Sequence, residues 1–122
     1  MAGYTQAYAQ TTLDANHPTS ANPDHVGYST NGSSEFANLA RTPIGATGWA
    51  AATAAQPSVK ANNAILTSAA ASGAGTITHF AVFSAITAGT QKTDWTALTA
   101  SKTVATSDVL QWAIGALAIT LD

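Results

Sequence analysis

The chain has 122 residues, enough for one domain with a single core, and it contains no cysteine, which excludes disulfides, thiolate nucleophiles and sulfur-bound metals. Charged residues make up 8% of it and hydrophobic residues 46%, against about 25% charged in an average globular protein, a balance that argues against disorder. A net charge of −2 with four Lys or Arg neutralises too few phosphates for a nucleic-acid partner to be expected.

Much of the apolar count is alanine, so bulky core residues are sparse. A thin core of this size is commonly completed by oligomerisation, and few like charges hold copies apart. Self-association or docking on other proteins is therefore expected. The opening MAGYTQAYAQTTLDANHP has no basic segment followed by an apolar run, and no window approaches about 18 apolar residues, so neither an export signal nor a membrane span is expected.

In chain order, YTQAYAQTTL (Tyr4 to Leu13) alternates larger and smaller side chains with period two, and predicts an extended arm or an edge strand. Residues Asp14 to Glu35, DANHPTSANPDHVGYSTNGSSE, are rich in turn formers and predict a long surface loop. A loop of that length is uncommon in a compact domain and tends to be functional or ordered by a partner, and a contact with another chain is expected. Residues 1–35 thus form an expected partner-contacting arm and loop, with Tyr4, Tyr8, His17, His25 and Tyr28 as its candidate contacts.

Residues 36–122 carry the expected β-domain. Short strands are predicted at Phe36 to Ile44, Thr47 to Ala55 and Ser58 to Ser68, with a helical turn as the alternative at Ala50 to Ala55. The strongest segment is GTITHFAVFSAI (Gly75 to Ile86), apolar on both faces, which predicts a central strand or one covered by a partner. Trp95 to Val104 is a further strand. In SDVLQWAI, Leu110, Trp112 and Ile114 share one parity, while Leu117, Ile119 and Leu121 form the next set, so Gly115 marks a bulge or a turn. Ile77, Phe80, Val82, Phe83, Leu110, Trp112, Leu117 and Ile119 are the expected core. The fold class read from this punctuation is all-β: one small antiparallel β-sandwich or jelly-roll-like domain with an extended N-terminal arm and a long loop.

No catalytic constellation emerges. His17 and His25 lie near Asp14 and Asp24, the sharpest case for a metal site, but in turn-prone sequence without a scaffold. His79 has no nucleophile or carboxylate at a catalytic spacing and is expected to be a structural, hydrogen-bonded histidine. No G-x-S-x-G, S-x-x-K or phosphate-loop pattern occurs, and no cofactor is expected. Trp49, Trp95 and Trp112 offer either a sugar platform or core, and core is expected in so sparse a sequence.

The run GTITHFAVFSAITAGT, followed by TALTASKTVATSDVLQWAIGALAITLD, resembles a group of small tailed-bacteriophage virion proteins often labelled tail fibre or minor structural proteins. The corresponding segments are Gly75 through Phe83, Ala97 through Val104 and Gly115 through Leu121; Arg41, in EFANLARTPIGATGWAAA, matches an upstream arginine more loosely. The resemblance implies a non-enzymatic virion protein, assembled in the bacterial host cytoplasm. From size and the polar N-terminal region, the expected role is a capsid (head) decoration protein, self-associating with a trimer as one candidate and binding the major capsid protein or other virion proteins. The alternative is a tail-fibre or tail-tip module recognising the host surface. A small hydrolase ranks last.

Overall fold

The structure, a computed structural model, describes residues 5–17, 24–45, 49–55 and 57–121. One helix, α1 (Gln6–Asn16), precedes eight strands: β1 (His25–Ser29), β2 (Thr42–Pro43), β3 (Ser58–Ala61), β4 (Leu66–Thr67), β5 (Gly75–Phe83), β6 (Thr96–Val104), β7 (Gln111–Trp112) and β8 (Ala118–Leu121). Every strand pairing is antiparallel: a four-stranded sheet ordered β2-β1-β5-β6, a β3-β8 ribbon and a β4-β7 ribbon. The all-β expectation holds for the sheet portion.

The N-terminal expectation does not. Residues 6–16 form a helix rather than an extended arm or edge strand. Thr5 caps it, its Oγ1 accepting from Tyr8 N at 3.3 Å, and the buried Ala9 and Leu13 stand four residues apart on one face. The period-two pattern of tyrosines and glutamines misled because alanine and glutamine favour helix and the buried stripe is only two apolar residues wide. α1 packs on β3 and β8.

The expected long loop is also interrupted. His25–Ser29 is a strand paired with both β2 and β5, and Val26 and Tyr28 are fully buried. Period two and a β-branched residue in HVGYS outweigh the turn formers around it, because the apolar β5 needs a neighbour to satisfy its backbone. Within residues 1–35, the described Leu13, Val26 and Tyr28 belong to the same core cluster as the C-terminal strands.

Further on, the predicted strand from Phe36 to Ile44 reduces to Thr42–Pro43, and Trp49 makes a lone bridge to Asn62 in place of a strand. Ser58 to Ser68 splits into β3 and β4 around the buried Asn62. Its side-chain nitrogen donates to Ala64 O and Ala113 O at 2.9 and 2.8 Å, and its Oδ1 accepts from Leu117 N at 2.9 Å. One side chain thus ties the end of β3 to the turn before β8. That turn is the one Gly115 marks, with φ +83.

β5 is central as its two apolar faces require, and Ile77, Phe80, Val82, Phe83, Leu110, Trp112, Leu117 and Ile119 are all buried. Tyr28 stacks on Trp112, ring centroids 6.1 Å apart, and its hydroxyl meets Thr42 Oγ1 and accepts from Trp112 Nε1. Burial pushes its phenol pKa up, and those two hydrogen bonds offset part of the rise. β6, the outer strand, is exposed along almost its whole length. Its register against β5 slips between Ile77/Lys102 and His79/Ala97, a bulge that interrupts the free edge.

Candidate functional site: the Asp24 cluster and its groove

One cluster of polar side chains forms where α1 ends. His17, next after the helix, donates its amide to Leu13 O at 2.9 Å, and this carries its ring to the entry of β1. There Asp24, completely buried, collects donors that include His17 Nδ1 at 2.7 Å, Trp49 Nε1 at 3.0 Å and the Lys92 ammonium. Lys92 is held in place by the sheet. Its amide donates to Val82 O at 2.6 Å, and its Nζ also donates to Asn16 O at 2.8 Å.

Burial by itself raises the Asp24 pKa, but hydrogen bonds from His17 and Lys92, with the charges behind them, outweigh it and hold the carboxyl below its ordinary value. A carboxylate already filled by an ammonium, an indole and an imidazole has no room or charge deficit for a metal cation. Among the described residues, no three His, Asp or Glu side chains gather in a way that could hold one.

Two further ion pairs brace the fold. Lys60, fully buried on β3, reaches Asp14 of α1 at 2.7 Å, and the same carboxylate oxygen accepts from Ala52 N at 2.9 Å. Burial again works against the Asp14 charge, and the Lys60 and Ala52 hydrogen bonds win, leaving its pKa lowered. Arg41 makes a bidentate pair with Glu35, at 2.7 and 2.9 Å, and donates to Ala85 O and Ala88 O at 2.8 Å each. Its guanidinium lies 3.7 Å from the centre of the Phe83 ring, so one side chain fixes the turn after β5.

Beside the Asp24 cluster runs an open groove of about 660 Å³, between α1, residues 90–96 and β8. Leu13, Ile119 and Leu121 give it an apolar floor, with His17, Lys92 and Asp94 among its polar groups. Nothing there aligns a nucleophile with a base. Among the described residues, no buried side-chain nitrogen or oxygen lacks a hydrogen-bond partner.

The candidate contacts fall apart as a set. Tyr4 lies outside the described residues. Tyr8 stands exposed on α1, and His25 is half-buried in β1. His17 and Tyr28 are buried inside the chain, so neither offers a surface to a partner: the first serves Asp24, the second the core. Trp49 and Trp112 are buried too, while Trp95 is half-buried with its ring 5.8 Å from that of Phe83. His79 shares a 2.8 Å hydrogen bond with Thr78 Oγ1 and packs over Gly32, a structural position. Sequence reasoning missed Lys60 and Lys92. The parity of SVKA, which turns Ser58 and Lys60 to the same side, was the available signal for the first.

Compared with known protein families, residues 5–120 match the family described as Podophage GP4 fiber I protein gp80. The chain belongs to that family. No match was found among curated proteins. The fibre I match extends upstream of the segments that carried the sequence resemblance, through β1, α1 and the whole Asp24 cluster, so the helix and its ion pairs lie inside the matched region. A fibre I protein of a phage is a structural component of a tailed-phage virion, in line with the resemblance stated above.

Proposed function

We propose that this chain is a non-catalytic subunit of a tail fibre, working by packing against other protein copies and contributing to recognition of the host surface. The family match over residues 5–120 carries this reading. The disposition of the titratable groups supports it: Asp14, Asp24, Glu35, Arg41, Lys60 and Lys92 are all engaged in ion pairs that brace the fold. Self-association remains part of the proposal, resting on the thin core and sparse charge, as does assembly in the host cytoplasm. Head decoration was expected from size and the polar N-terminal region, and the family's description favours a fibre over it.

The test is location. Gold-labelled antibody against the chain, imaged on intact virions, is expected on the fibres; label confined to the head surface would overturn the fibre role. Purified chain added in excess is expected to slow adsorption of the phage to its host. Unchanged adsorption would remove host recognition while leaving the structural role.

A further inference from the structure

Hydroxyl-bearing side chains from three separate parts of the fold line the open groove of about 660 Å³: Thr12 of α1, Thr90 in the segment after β5 and Thr120 of β8. That volume lies within the range of small-molecule sites. None of the three hydroxyls has a hydrogen-bond partner among the described residues, and neither has the exposed carboxylate of Asp94, which lines the same groove. The backbone that carries Asp94 is held in place. Gln91 Nε2 donates to Thr93 O at 2.8 Å, Thr96 Oγ1 donates to Asp94 O at 3.2 Å, and Thr93 Oγ1 accepts from Val82 N of β5 at 3.0 Å. The rim is therefore fixed while its carboxylate and hydroxyls stay unused.

Charge narrows what can bind. Among the described lining residues Lys92 is the only Lys or Arg, and its ammonium is committed to Asp24 and to Asn16 O. His17 Nδ1 is likewise held by Asp24. An anionic ligand would thus meet the Asp94 carboxylate with no free cation to offset the repulsion. The floor of Leu13, Ile119 and Leu121 calls for C–H surface, while the rim calls for O–H donors: a carboxylate accepts them in charge-assisted bonds, and threonine hydroxyls both donate and accept. A neutral sugar ring divides its surface in that way, with hydroxyls around the edge and C–H groups on a face.

We propose that the groove between α1, residues 90–96 and β8 binds a neutral saccharide of the host surface, with the Asp94 carboxylate and the hydroxyls of Thr12, Thr90 and Thr120 taking the sugar hydroxyls and the aliphatic floor taking a C–H face. The inference rests on the host-recognition reading above and names its ligand class and its place. The groove is open to solvent and has no aromatic ring other than the engaged His17 among its described lining residues, so a single site binds weakly and the measurement must reach high ligand concentration.

Saturation-transfer NMR on the full chain tests it, the probes being oligosaccharides released by mild acid from the host's surface polysaccharide and separated by anion exchange into neutral and acidic pools. The variants are Asp94→Asn and Thr120→Val. Both side chains are exposed and have no hydrogen-bond partner among the described residues, so melting curves should match the wild type and show that folding is intact. The expected result is binding of the neutral pool, weakened about tenfold or more by Asp94→Asn and roughly threefold or more by Thr120→Val. Binding of the acidic pool alone, or neutral binding that neither variant weakens, would overturn the site. The adsorption assay run in parallel separates this proposal from the reading it rests on. A chain that binds neither pool yet slows adsorption would remove the saccharide groove and leave host recognition standing, and a chain that does neither would remove both. Slowing that persists on periodate-treated cells and vanishes on protease-treated ones would assign recognition to a host protein and overturn the saccharide.

Discussion

Asp24 keeps its charge where water does not reach, and donors to it arrive from three parts of the chain: the end of α1, Trp49 and the segment after β5. Removing one member of a buried ion pair usually costs about 3–5 kcal/mol, because the other charge is left without compensation. Lys92 retains some access to water, with 23% of its side chain exposed. Asp24→Asn should therefore sit near the lower end, at about 3 kcal/mol, read as a shift of the urea midpoint with an unchanged slope. A loss under about 0.5 kcal/mol would mean that the cluster is not coupled to folding. The sequence showed the nearness of His17 and Asp24. It did not show that Lys92, far along the chain, completes the set.

At the scale of elements, close approach and backbone conformation separate two glycines that look alike in the sequence. A Cβ on Gly27, in β1, would fall 2.5 Å from Phe83 Cε1, whereas Gly115 has open space around it but a φ of +83. Gly27→Ala should cost about 1–3 kcal/mol by crowding and, through Phe83, alter the fluorescence of Trp95. Gly115→Ala should cost about 1–2 kcal/mol from the left-handed backbone alone, with the Trp95 signal unchanged. Helix α1 raises a different question, since eleven residues with two buried apolar side chains are too few to hold a helix in water. A peptide of residues 5–17 should show little helical circular dichroism, and strong helicity in isolation would show that the helix forms without the β3 and β8 surface. This dependence on packing is why period two in YTQAYAQTTL could pass for a strand.

Across the whole molecule, the lowered pKa values of Asp14 and Asp24 set how stability responds to acid. A carboxyl with a depressed folded-state pKa binds its proton more readily in the unfolded chain, so protonation favours unfolding. Its stabilising contribution is present above the unfolded value of about 3.9 and is lost as pH falls through the lower folded value. Urea midpoints should thus hold steady from neutral pH to about pH 5 and then fall toward about pH 3. The fall should be shallower in Asp24→Asn, and a midpoint rising with acid would contradict the ion-pair assignment.

Strand content and most of the core were legible because alternation and β-branched or aromatic residues are local properties: GTITHFAVF, apolar on both faces, called for a central strand or one covered by a partner, and it lies inside the four-stranded sheet with every expected core residue buried. The resemblance of Gly75 to Leu121 to phage virion proteins was likewise carried by contiguous residues. Tertiary structure alone decided the rest. A helix in place of an arm, a strand inside the expected loop, buried Lys60 and the Asp24 cluster all depend on groups distant in sequence, whose charges and backbone are satisfied only once the chain has brought them together.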